Sequence, residues 1–429
     1  MKRVFVSYPV DDLQKTKYQL LNWAQAFDSF CFLDSQQYSL AHQEYECMLG
    51  VGIQTSITAA SGHALQSLQT FAQLNPDWLF GHFGFDLKSE TEQIATGKPA
   101  QIPFPDLFFF VPKLVILLKA GSLAIGSLQP DHQQVREAIQ KCAGHSSGHS
   151  AKIAAIRERF SRSEYLEAVA RLQAHILRGD CYEINFCQEF YAAEGLADPV
   201  QTYWDLSARS PMPFAAFYKL QDKYLICASP ERYLKRKGAF LLSQPIKGTS
   251  ARNLQDADLD QASRDQLSQS AKDRSENVMV VDLVRNDLSK VCQEGSVELE
   301  ELWGVYSFPQ VHQMMSSVIG RAREGLHWTE FIRATFPMGS MTGAPKRKVL
   351  DLIERYEKTP RGLYSGSLGY VSPEQDFDFN VVIRSILYDP AQPYLSYCVG
   401  SGITYYSDPE AEYDECLLKG AAIKKVLTG

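Results

Sequence analysis

The chain has 429 residues, 45% of them hydrophobic and 22% charged, a balance that excludes disorder and is long enough for one large core or two domains. The formal net charge of -7 is spread along the sequence with no Lys/Arg block, which excludes nucleic acid as a partner and requires a local basic pocket for any small anionic ligand. Nine cysteines, an odd number with no C-x-x-C pair, point to reduced thiols in a cytoplasmic protein.

After Met1-Lys2-Arg3 the apolar run is only Val4-Phe5-Val6, too short for a signal-peptide core. Strand-like runs at 4–6, 30–33, 47–53 and 108–118, with an aromatic segment at 78–86, predict an α+β region over 1–140. The greasy stretch 107–118 is interrupted by Pro112-Lys113, so it reads as two buried strands and not as a membrane span. Residues 141–159 read as a connection, small and polar at its start. Cys142, His145 and His149 within it have a metal-ligand spacing, but no local fourth ligand follows. The third region, 160–429, opens with the capping box Ser161-Arg162-Ser163-Glu164. The helix behind it places Leu166, Val169, Leu172 and Ile176 on one face and ends at Gly179. Short strands over 212–245, one long helix over about 262–290, a helix after Gly343-Ala344-Pro345 and glycine-punctuated strands over 364–406 follow. A last helix has Asp408 as N-cap and Pro409 in its first turn. Strands and helices come in blocks, which predicts an antiparallel α+β architecture.

Pro245-Ile246-Lys247-Gly248-Thr249 sets one lysine in a stiff strand-to-turn corner. Lys247 there is either a nucleophile, which needs its amine neutral, or a strand-end lysine reaching for water. Glu276 shares a helix face with Met279, Val280 and Leu283, so its carboxylate is turned toward the core and needs a basic partner or a metal ion. Glu412, Glu415 and Lys419 form a similar stripe on the last helix, although Glu415 and Lys419 are also an ordinary i,i+4 pair. Carboxylates from two helices with few other ligands suit Mg²⁺. The loop 338–346 offers backbone N–H groups to an anion, Gly400-Ser401-Gly402 allows close approach of backbone, and Arg384 can grip a carboxylate with two hydrogen bonds. These features describe a pocket for a small polyanion with Mg²⁺ and a lysine at its edge.

Six separated motifs carry a resemblance: Gly179-Asp180-Cys181-Tyr182-Glu183-Ile184-Asn185, Ser229-Pro230-Glu231-Arg232, the Lys247 pentapeptide, Glu276 through Asn286-Asp287, Gly343-Ala344-Pro345-Lys346, and Glu412-Tyr413-Asp414-Glu415. In this order they resemble the chorismate-utilising enzymes, densely over 160–427 and loosely over the first 120 residues. The resemblance implies an α+β fold, a large antiparallel β-sandwich flanked by helices and similar to anthranilate synthase component I. It also implies Mg²⁺-bound chorismate, and formation of 4-amino-4-deoxychorismate on the way to para-aminobenzoate and folate. On that pattern Lys247 adds to ring carbon 2 as the 4-hydroxyl leaves, Glu231 gives that hydroxyl its proton, and ammonia displaces the lysine. Glu276 and Glu415, with Glu412 as second choice, would hold Mg²⁺. His312, Thr342, Tyr370, Arg384, Gly402 and Lys419 would contact chorismate, and Phe32-Leu33-Asp34-Ser35 resembles an element that binds tryptophan through Leu33, Asp34 and Ser35. Lys247 selects the branch, because the related anthranilate synthases typically carry alanine there. Met338 and Cys416 depart from the family pattern without removing a named role. No G-x-C-x-G nucleophile elbow is present, so ammonia is expected from a separate glutamine amidotransferase. The alternatives are anthranilate synthase component I and a non-catalytic subunit that binds chorismate or tryptophan.

Overall fold

Long β-branched and aromatic runs build the centre of the molecule. The computed structural model describes residues 2–38, 42–95, 97–144, 152–309 and 311–429, and every strand pairing among them is antiparallel. The strand Leu107–Lys119 joins two ladders. Its residues 107–118 pair with Cys47–Ala59, its first four residues with Leu79–Phe83, and its last six residues with Ser122–Ser127. Residues 107–118 were expected as two strands, but they form one, because Pro112 falls at a register shift opposite Ile53 where no ladder hydrogen bond is needed from it.

From this junction one ladder continues through Ser29–Asp34, Phe214–Leu220, Lys223–Ser229, Ser385–Asp389, Tyr394–Ile403 and Glu183–Ala192. The other continues through Leu79–Phe83, Ser367–Val371, Phe377–Asn380, Arg232–Lys237, Phe240–Gln244 and Val311–Arg321. Both cross the 141–159 connection, since Ser29–Asp34 pairs with Phe214–Leu220 and Leu79–Phe83 with Ser367–Val371. One apolar cluster, with Phe80, Phe110, Tyr218 and Leu368, draws on strands of both ladders, and two larger ones bury helices against sheet. Helices outside and sheet inside are the expected sandwich.

Local signals produced two of the helices at their expected starts. Ser161 and Glu164 form the reciprocal capping box of Arg162–Leu177, Gly179 follows at φ +84, and Asp408 caps Pro409–Thr428. The single helix expected at 262–290 is two, Ala257–Gln269 and Ala271–Ser289. Ser270 ends the first and caps the second by accepting from the Asp273 N–H. All nine cysteines are free thiols, seven of them buried. No helix among the described residues is long and apolar enough to cross a membrane.

Candidate active site

Glu231 follows a strand end. Its N–H donates to Ser229 Oγ at 3.2 Å, which sets the turn after Ser229-Pro230 and leaves the carboxyl 4% exposed. Ser340 Oγ donates to Glu231 Oε1 at 2.5 Å from the short turn Gly339–Met341. Burial pushes the Glu231 carboxyl up to about 7, against the pull of Ser340 and Lys247. Lys247 stands on Ile246–Ala251, where the register slips between Ile246 and Thr249 and Gly248 takes φ +97, the sharp turn expected of that glycine. Lys247 Nζ donates to Glu183 Oε1, so its direct partner is Glu183 and not Glu231. Burial works to lower the Lys247 pKa, but Glu183, Glu276 and Glu415 together hold it above the ordinary lysine value.

Glu231 and Lys247 share a cleft of about 980 Å³ with Glu276, Arg384, Gly400, Gly402, Glu415 and Lys419. Gly402 lies against Lys247 in the strand Tyr394–Ile403. Lys419 donates to Gly400 O at 3.0 Å and pairs with Glu415 at 2.6 Å. Arg384 was expected within a strand but sits in the irregular stretch 381–384 at φ +50, a left-handed backbone unusual for a long side chain. Its guanidinium has no hydrogen bond or ion pair among the described residues, and burial lowers it to about 10. A cation held this way in a cleft suits an anionic ligand.

Glu276 is 7% exposed, and burial raises its carboxyl to about 7 despite Lys247. The carboxylates do not form a ready cage: no group of three or more His, Cys, Asp or Glu side chains suited to a metal occurs among the described residues. Instead they interleave with lysines. Lys272 pairs with Glu412 at 3.0 Å and approaches Glu276 at 3.9 Å. Three buried carboxylate oxygens, Glu183 Oε2, Glu276 Oε1 and Glu412 Oε2, have no hydrogen-bond partner. Hard, orphaned oxygens fit Mg²⁺, which would take over positions now balanced by ammonium groups.

Not every expected residue reaches the cleft. Glu412 is 1% exposed and turns to Lys272, outside the cleft lining. Tyr370 belongs elsewhere. The two-residue period of Ser367–Val371 puts it on the same face as Leu368, against Trp78 and Phe80. Tyr364 lines the cleft instead. Thr342 is fully buried with its hydroxyl donating to Met338 O at 3.0 Å, and the same loop offers Ser340 and Met341 to the cleft. His312 is pinned behind the strand Ile246–Ala251, its ring nitrogens 2.9 Å from Ser307 Oγ and 3.2 Å from Asp260. The helix start at Lys346 is occupied by an ion pair with Asp287 at 2.6 Å. Leu33, Asp34 and Ser35 line a second cavity of about 500 Å³, which Tyr370 also lines. Cys142 is a free thiol donating to Ala138 O, while His145 and His149 lie outside the described residues. Sequence reasoning missed Lys272 and Tyr364, which line the cleft, and Glu183, which pairs with Lys247. Glu183 lay inside a quoted motif, but its pairing with Lys247 crosses 64 positions.

The model of the chorismate binding enzyme family matches residues 24–425, and the chain belongs to that family. Within it, the similarity runs to aminodeoxychorismate synthases. One relative is the aminodeoxychorismate synthase component 1 of Klebsiella aerogenes, 34% identical over 78% of this chain and 74% of that protein. Another is the probable chloroplastic aminodeoxychorismate synthase of Oryza sativa subsp. japonica, 34% identical over 81% of this chain. This chain spans 43% of the rice protein's length. Among solved structures, anthranilate synthase component I from Streptococcus pneumoniae TIGR4 superposes with a TM-score of 0.78 at 23% identity, covering 90% of this chain and 94% of that one, which shows the shared fold.

Proposed function

We propose that this chain converts chorismate and ammonia to 4-amino-4-deoxychorismate, the product for which its sequence relatives are named. The observation that carries the reading is a lysine and a buried carboxyl facing one cleft in which an arginine has no protein partner among the described residues. Arg384 takes a substrate carboxylate. Glu231, substantially protonated near neutrality, gives its proton to the leaving 4-hydroxyl, which departs as water. Lys247 must lose a proton before it attacks ring carbon 2, and Glu183 is the base in hydrogen-bond contact that can take it. Ammonia then displaces the lysine. Glu276 and Glu415 would hold Mg²⁺, which supplies positive charge against the substrate carboxylate when bound.

The designation component 1 among the relatives supports a second component, and we assign it the supply of ammonia from glutamine. We keep tryptophan as the candidate ligand of the cavity at Leu33, Asp34 and Ser35, which Tyr45, Phe214 and Tyr370 line with aromatic rings. Nine free thiols support a reducing compartment such as the cytoplasm. The test is incubation of the purified chain with chorismate, Mg²⁺ and either ammonium or glutamine, with products identified by mass and absorbance. Aminodeoxychorismate from ammonium alone is expected. Anthranilate as the product would overturn the branch, and turnover with glutamine would overturn the separate amidotransferase.

A further inference from the structure

The turn that carries Ser340 is held by two side chains from elsewhere in the fold. Three consecutive carbonyl oxygens each accept a hydrogen bond: Ser340 O from Asn185 Nδ2 at 3.1 Å, Met341 O from Arg361 Nη1 at 2.6 Å, and Thr342 O from the Asn185 N–H at 2.7 Å. Arg361 Nη2 then donates to the carbonyl of Asn185 itself at 2.8 Å and closes the knot. Asn185 lies two residues after Glu183, so one strand face carries both the partner of Lys247 and the anchor of the Ser340 turn.

Arg361 is an expensive residue to keep there. It is 4% exposed, paired with Glu357, which is 5% exposed, at 2.6 and 3.0 Å, and stacked 4.6 Å from the Phe85 ring centroid. A buried ion pair is weak as a stability device, and well-packed apolar side chains often serve as well. What apolar side chains cannot do is bind two backbone carbonyls on different elements.

We propose that Asn185 and Arg361 are positioning residues that fix the Ser340 hydroxyl against Glu231 and, through the shared strand, register Glu231 against the Lys247–Glu183 pair. The proposal rests on the reading of Glu231 as the proton donor. The groups facing Glu231 are Ser340 from the turn, Lys247 and the Ile246 N–H from the strand Ile246–Ala251, Lys272, Glu276 and Arg384 across the cleft, and Asp287 with Tyr233 across a small cavity behind it. Asp287 is itself tied to Lys290 and Lys346.

The test titrates the Glu231 carboxyl by isotope-edited infrared difference spectroscopy on the full-length, substrate-free chain, with Glu231→Gln identifying the band. Ser340→Ala removes the donor and should move the midpoint up by about one pH unit. Arg361→Lys and Asn185→Ala should move it the same way, and adding Ser340→Ala to either should move it no further. Folded variants that titrate at the wild-type midpoint, or shifts that add to that of Ser340→Ala, would overturn the proposal. If Arg361→Lys does not fold, Asn185→Ala decides alone, since it leaves the Arg361–Met341 bond in place. Because no substrate is present, failure of the wild type to aminate chorismate would remove the functional reading without altering this result.

Discussion

A Cβ on Gly402 would sit 2.6 Å from Lys247 Nζ and 2.8 Å from Glu183 Oε1. The atoms in the way are side-chain tips, which move more cheaply than backbone. Gly402→Ala should therefore keep its fold and displace the lysine, with turnover falling about 100-fold and the thermal midpoint little changed. Steady-state kinetics beside thermal melts would check this, and wild-type turnover in the variant would refute the contact.

Burial holds the Glu276 carboxyl at about 7 in the folded chain, against an ordinary 4.5. A raised value means that the unfolded chain ionises first. The contribution of this group to stability is full below about 4.5 and is lost as the pH rises to about 7, above which no more is lost. Glu276→Gln removes that dependence. The melting temperature of the variant relative to wild type should rise between pH 4.5 and 7 and then level off; a difference constant with pH would mean that Glu276 is solvated.

Lys272 lies between Glu412 and Glu276, beside the carboxylates proposed to hold Mg²⁺. Lys272→Met should tighten Mg²⁺ about tenfold in the absence of substrate, and Glu276→Gln or Glu415→Gln should weaken Mg²⁺ and chorismate together. Calorimetric titrations separate these outcomes. Unaltered Mg²⁺ binding in all three variants would remove these glutamates from the metal site.

Lys247→Ala should still bind chorismate but lose the covalent route. Intact-protein mass after rapid quench with chorismate and Mg²⁺, without ammonia, should show a substrate-derived adduct on Lys247 in the wild type alone. Near-normal aminodeoxychorismate formation by the alanine variant would exclude the lysine as nucleophile.

Arg384→Gln should weaken chorismate binding by about 30- to 150-fold, because a charge-assisted hydrogen bond to a carboxylate contributes about 2–3 kcal/mol. An unchanged dissociation constant would show that the unpartnered guanidinium does not meet substrate.

The parts of this site legible in the sequence were those set by neighbours in the chain. The capping box at Ser161, the caps at Asp408 and Pro409, and the glycine after Lys247 each act within four residues, and each formed as expected. Tyr370 and Tyr364 show where that ends. They differ by six positions, but only the onset of a strand at Ser367 decides which of them faces the cleft, and no local residue marks that onset. The lysine partners Glu183, Glu412 and Glu276 were hidden for a related reason. A carboxylate turned inward can be read from helix periodicity, whereas which ammonium meets it depends on elements brought together by the sheet.

The ladders also set the order in which the molecule can be made. Leu79–Phe83 leaves the ribosome early, but one of its neighbours, Ser367–Val371, is not translated until most of the chain exists; Ser29–Asp34 waits in the same way for Phe214–Leu220. At roughly 5–20 residues per second these edges stay unpaired for tens of seconds. A nascent chain of this protein therefore carries open strand edges for most of its synthesis, and a ribosome that stalls near residue 140 would release a fragment prone to pair with copies of itself.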